Sequence, residues 1–149
     1  MPSLCPENRR LLVIANLVML LTIAIHDADH VRQARNWCYT IPLELWFINV
    51  AVYLPNTTAL LFAARRSAIA PLMTSGASLF IGFEFAKVHL WKPSIAVWGI
   101  WNKNFFELGA DAISWVVLVA TVMIGVGTAM VGAYVTGSEK GRRAEFLVV

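Results

Sequence analysis

Charge is what this sequence has least of. Asp, Glu, Lys and Arg make up 14% of its 149 residues, against 58% hydrophobic ones. A soluble domain carries about a quarter charged residues. So few charges cannot coat a water-exposed surface, and the excess apolar area must face lipid or another protein. Cysteine is nearly as scarce. Cys5 and Cys38 are the only two and no C-x-x-C occurs, so at most one bridge can form and covalent haem attachment is excluded. A basic stripe is missing as well. The net charge is +3, but the basic residues stand as short pairs beside apolar runs, which is how membrane proteins fix their orientation. No nucleic-acid motif is present, and nucleic acid is not an expected partner.

The chain does have long apolar runs. A helix needs about 20 apolar residues to cross a bilayer, and four stretches qualify: residues 11–30, 43–64, 68–90 and 108–135. They predict an all-α integral membrane four-helix bundle in one polytopic domain. Arg9 and Arg10 before the first run resemble a signal peptide, but HDADH follows it without an A-x-A site, so the run is expected to be a retained span. Four spans place both termini on one side. Seven of the twelve basic residues fall there (Arg9, Arg10, Arg65, Arg66, Lys140, Arg142 and Arg143), which makes that side cytoplasmic and the protein a multi-pass plasma-membrane protein. Cys5 and Cys38 then lie on opposite sides. Bridged Cα atoms sit within about 7 Å, so no internal disulfide is expected. All six tryptophans fall at the outer ends of spans or in outer loops, as an interfacial aromatic belt does.

Between the third and fourth spans, Trp98, Trp101 and Phe105 recur on one helical face and predict a short interfacial helix over the outer mouth. Thr121, Gly125, Ala129 and Ala133 form a ridge of small residues in the fourth span, with Ser78 and Gly82 in the third; such ridges let helices approach closely in lipid. Pro55 should kink the second span. Asn56-Thr57-Thr58 matches a glycosylation acceptor but lies within a span, so no modification is expected there.

The ionisable groups are unevenly placed. All three histidines and six of the nine acids, Asp27, Asp29, Glu44, Glu84, Glu107 and Asp111, fall in the outer half. At about 1.5 Å per residue from Leu11, His26 stands roughly 22 Å up and His30 roughly 28 Å, while Glu84 reaches about 24 Å from Ala68. These depths lie inside a hydrocarbon core about 30 Å thick, where a charged group must be paired, protonated or facing water. Thr22, His26, Asp29, His30 and Gln33 share one stripe of their helix, with Asp27 turned away. Glu84 and Lys87 share a face of the third span. His89 is rotated away from Glu84 and joins only if the helix distorts before Pro93. Glu107, Asp111 and Ser114 share a face of the fourth.

Three uses of this outward-facing pocket compete. The first is a transition-metal site with His26 and His30 as ligands, Glu84 and Asp111 completing it, and Asp29 and His89 in support. It would take zinc, iron, copper or manganese in a redox or hydrolytic role. The second is a structural cap of ion pairs in an accessory subunit of a larger membrane complex, with protein partners in the bilayer. The third is haem or quinone binding, with His30 and His89 at matching depth. A proton path to the inner side would have to run through Asn16, Asn49 and Asn56, since the inner halves of the third and fourth spans read as apolar or small. The hexapeptide PLELWF at 42–47 resembles proline–glutamate motifs of membrane carotenoid cyclases; the likeness ends there and leaves out the His–Asp cluster, so it assigns no roles.

Overall fold

The computed structural model describes residues 4–92 and 99–146, and the regular structure among them is all helical. Helix α1 spans Pro6–Asn36. It opens with Pro6 in its first turn, where the missing N–H costs nothing, and with Cys5 as N-cap, its Sγ accepting from the Asn8 amide at 3.5 Å. No breaker interrupts VRQARN, so α1 runs six residues past His30. Its length of roughly 46 Å separates Cys5 from Cys38, and both thiols are free.

Residues 43–64 form two helices, α2 (Leu43–Ala51) and α3 (Leu54–Ala64). The break falls just ahead of Pro55. Inside a continuous helix that proline would clash with a carbonyl one turn back; in the first turn of α3 it does not. Helix α4 spans Ala70–Leu90, α5 is the single turn Phe105–Leu108, and α6 spans Ala112–Phe146. Three of the helix ends, after Asn36, Ala64 and Leu108, close in the same way. The residue beyond the cap, or the cap itself, turns left-handed (Cys38, Arg66 and Gly109). The next amide then reaches back five residues, from Tyr39 to Ala34, Ser67 to Phe62 and Ala110 to Phe105. Only one of the three uses glycine.

Two expectations need correcting. The fourth long helix starts at Ala112 rather than at Leu108, because Asn104 and Glu107 form a capping box around α5 and Gly109 stops it. The interfacial helix is instead a 3₁₀ turn, Gly99–Asn102, followed by the separate turn α5; Trp98 lies outside the described residues. Trp101 and Phe105 are buried, not spread on a surface.

Three helical stretches are long and apolar enough to cross a membrane: Pro6–Asn36, Leu43–Ala64 and Ala112–Arg142. Helix α4 has the length but not the hydropathy, since Glu84, Lys87 and many small residues dilute it. Large apolar side chains face outward along α1 (Leu11, Leu17, Leu21 and Ile25) and α6 (Val116, Met123 and Met130). Outward apolar faces of this extent fit lipid or protein contact, not water.

Helix α4 makes its main interface with α6 and a second with α3; α1 packs on α6 and α3. The α4–α6 contact is backbone-close. A Cβ on Gly125 would lie 3.1 Å from Ser78 O, and one on Gly132 2.6 Å from Pro71 O. The expected ridge holds at Thr121, Gly125 and Ala129, all buried, but Ala133 is exposed and Gly132 takes its place. A strict four-residue repeat over-rotates by about 40° per step, so the ridge must drop back one residue after three steps.

Polar contacts tie both ends. At one end the Leu4 amide donates to Arg66 O at 3.2 Å, and Glu139 Oε1 accepts from the Cys5 amide at 3.0 Å and Asn8 Nδ2 at 2.8 Å. At the other, Arg32 joins Asp29 at 2.6 Å to Asp111 at 2.6 Å. Among the described residues three apolar clusters fill the interior, one around Leu12, Ala63, Ala70 and Val135, one around Met19, Ile23, Ile81, Phe85 and Leu118, and a small one of Ala34 and Trp101.

Candidate functional site

The buried stripe of α1 runs through Leu12, Asn16, Met19, Thr22, Ile23, His26, Asp29, His30 and Gln33. These steps of three and four residues keep one face inward, and the face delivers two imidazoles. Helix α4 delivers a third. His89 is 4% exposed and sits in regular helix, on the ridge that already carries Ser78, Gly82 and Phe85. No distortion before Pro93 is needed. Rotation measured from Glu84 misplaces His89, because Glu84 is only half-buried and does not mark the inward face.

His26, His30 and His89 each offer a ring nitrogen, and these three atoms lie within 4.8 Å of one another. This group could hold a metal ion. The ring centroids are 5.0 Å apart for His26–His30, 4.7 Å for His26–His89 and 5.4 Å for His30–His89. Phe85 packs on His26 at 4.2 Å, Phe105 on His89 at 4.6 Å and Trp101 on His30 at 5.7 Å. The turns at 99–108 thus form an aromatic plug over the imidazoles.

A hydrogen bond fixes the tautomer of His89. His89 Nδ1 lies 2.7 Å from Phe85 O. A carbonyl only accepts, so this nitrogen carries the proton and Nε2 is a bare lone pair. The Thr121 hydroxyl donates to Val117 O at 2.8 Å, and its oxygen lies 3.3 Å from His26 Nδ1. Both His26 tautomers fit these contacts: as Nδ1–H it donates to Thr121, and as Nε2–H it donates to the bare Nε2 of His89, 3.2 Å away. A cation between the two Nε2 atoms would take the place of that proton. His30 Nδ1, also buried, has no hydrogen-bond partner.

Glu84 lines a cavity beside His30 and His89, outside the close imidazole group. Asp111 is engaged elsewhere. Both of its oxygens accept from Arg32, at 2.6 and 2.8 Å, and this guanidinium, with the Ser114 amide, holds the Asp111 carboxyl well below the usual carboxylate range. Asp29 accepts from Arg32 Nε at 2.6 Å and Gln33 Nε2 at 2.8 Å; the Nδ1 contacts of His26 and His89 are instead with Thr121 and Phe85 O. In place of Glu84 or Asp111, the third member of the group is His89.

Thr121 drew attention only as a small packing residue, and Trp101 only as an interfacial one. Nothing in the sequence marks either as a neighbour of a histidine. Asn49, 7% exposed on α2, lines the same cavity as Glu84.

A second polar layer lies deeper, between α1, α3 and α4, built from two of the asparagines and the small hydroxyl residues of the third span. Asn16 Nδ2 donates to Leu12 O and Thr74 Oγ1, both at 2.8 Å; Asn56 Nδ2 donates to Asn16 Oδ1 at 3.1 Å and Ser78 Oγ at 2.8 Å. Met19, Ile23 and Ile81 separate it from the imidazoles.

No family model matches the sequence, no curated protein matches it, and no solved structure matches its fold. The chemistry of the site therefore rests on its own residues.

Proposed function

We propose that this is a membrane-embedded metal-binding protein whose centre is the imidazole group His26, His30 and His89. Its spans are α1, α2–α3, α4 and α6, both termini are cytoplasmic, and the centre lies in the outer half of a plasma membrane. The observation that carries this is the convergence of three buried imidazoles, with ring nitrogens within 4.8 Å of one another and His26 Nε2 and His89 Nε2 3.2 Å apart, while Phe85 O fixes the far nitrogen of His89. Fixing the distal nitrogen in this way is the usual support for a metal-binding histidine. Imidazole donors suit copper, zinc and iron better than manganese. All three donors are neutral, so the ion keeps its full charge in a buried site. A monovalent copper ion is least costly to bury, and a divalent ion needs an anionic fourth ligand. His30 and His89 also line a cavity, and an open coordination position on that side is what a redox or hydrolytic centre requires.

The test is metal analysis of purified protein beside the double variant His26→Ala, His89→Ala, with helical content checked in both. One copper, zinc or iron per chain, lost in the variant, is the expected result. Equal trace metal in both ends the proposal.

A second reading is an accessory subunit in which the outer polar groups are glue. The Arg32 guanidinium favours it, since it links Asp29, Asp111 and Ser114 across two helices. Mild-detergent purification would then recover a defined membrane partner, and a stable isolated monomer would count against it.

A further inference from the structure

Beside the imidazole group lies a cavity of about 480 Å³, walled by α2, α4 and the turns at 99–108. Small-molecule sites run from about 300 to 1,000 Å³ and are mostly apolar with a few convergent polar groups. This cavity fits that description. Ile48, Val52, Ile81, Phe85 and Phe105 line it, and exposed Lys103 marks its mouth.

Two of its nitrogen donors stand without partners. Asn49 Nδ2 and Trp101 Nε1 are buried and have no hydrogen-bond partner, and both residues line the cavity. Asn49 is 7% exposed and Trp101 8%. An amide nitrogen and an indole nitrogen only donate. His30, whose Nδ1 is likewise without a partner, lines the same wall. Burying a donor unpaired is costly, and two on one apolar wall call for an acceptor.

We propose that this cavity binds an apolar small molecule bearing carbonyl oxygens, which accept from Asn49 Nδ2 and Trp101 Nε1 while its hydrocarbon part lies against Ile48, Val52 and Phe85. The position of the cavity, against His30 and His89, would set that molecule beside the metal proposed above. Binding itself does not require the metal, since the two donors lie outside the imidazole group.

The test uses full-length protein in detergent, labelled at its tryptophan indole nitrogens, with three probes: a decyl-benzoquinone, methyl decanoate and decylbenzene. The Trp101 indole resonance, assigned by its disappearance in Trp101→Phe, is expected to shift on adding a carbonyl probe and to stay in place with decylbenzene. A shift with the quinone alone assigns the site to a ring diketone, and one with the ester alone to an acyl chain. Trp101→Phe and Asn49→Leu should each weaken carbonyl-probe binding roughly three- to tenfold and leave the weak decylbenzene binding as it was. Trp101→Phe keeps the aromatic plug, so it remains informative if Asn49→Leu folds poorly. Equal binding of decylbenzene and both carbonyl probes, or an indole resonance that none of them moves, overturns the proposal. Each titration is run on chelator-treated and on copper-loaded protein. Carbonyl binding to the chelator-treated form sustains the cavity even if no metal is ever found. Failure in both forms sinks the cavity and leaves the metal centre to its own test.

Discussion

Two polar layers cross the interior, one of amides and one of imidazoles, and they are built on opposite principles. In the deeper layer Asn16, Asn56, Thr74 and Ser78 satisfy one another; every amide N–H has a partner, and only Asn56 Oδ1 is left without a donor. In the outer layer hydrogen bonds hold the far sides of the His26 and His89 rings, and the near nitrogens of three imidazoles converge. A network whose amide donors are all paired holds helices together where apolar packing alone would let them slide, since lipid is as apolar as leucine. A network whose ring nitrogens converge could hold a metal ion. Burial and helix placement are alike in the two layers. The direction in which the hydrogen bonds point is what differs.

That contrast can be broken from either side. The largest effect is expected at Asn16. Asn16→Ala takes the partner from Asn56 Nδ2 and Thr74 Oγ1 together, and should lower stability by about 3 kcal/mol, seen as a drop in thermal midpoint in detergent with metal content per chain unchanged. Loss of metal in that variant would mean the layers are not separate. Thr121→Val is the reciprocal experiment. It keeps the packing but frees His26 Nδ1, and should reduce metal affinity about 10- to 100-fold at nearly unchanged stability; an unaltered affinity would show that Thr121 does not hold the tautomer. The smallest effect belongs to the outer ion pair. Because Arg32 keeps the Asp111 carboxyl below its usual range, the pair contributes stability above the ordinary carboxylate pKa and loses it as pH falls through and below that value. Asp111→Asn should therefore be slightly less stable than the parent at neutral pH, and the gap should close progressively below about pH 4. High salt should also narrow it, since Asp111 is exposed and its pairing is screened. A gap constant with pH would mean that Asp111 acts through something other than its charge.

Much of the site was legible, though not the part that completes it. The stripe Thr22, His26, Asp29, His30, Gln33 follows from spacing alone, and all five residues are buried. His89 was equally within reach. It extends the Ser78–Gly82 ridge, which the small-residue spacing already marks as the packed face of α4. Charge was the misleading guide, because a carboxylate such as Glu84 can sit half-buried at a cavity wall, whereas small residues must face a neighbouring helix. Asp111 misled in a related way: helical spacing places it at the top of α6 but is blind to the guanidinium of Arg32 arriving from α1. The turns at 99–108 were opaque for a different reason. An aromatic period of three and four looks the same in a surface helix as in two short turns folded inward, and only the capping box at Asn104 and Glu107 and the left-handed Gly109 separate them.

By itself, the sequence determined that the chain is helical, that much of its surface is apolar, and which face of α1 turns inward, because hydropathy and helical period are local properties of consecutive residues. Only the tertiary structure decided that a histidine of α4 meets two of α1, that a threonine of α6 turns one ring, and that two unpaired donors share a cavity. Each of those pairings joins residues dozens of positions apart, at distances of a few ångströms that depend on how closely the α4 and α6 backbones approach at Gly125 and Gly132.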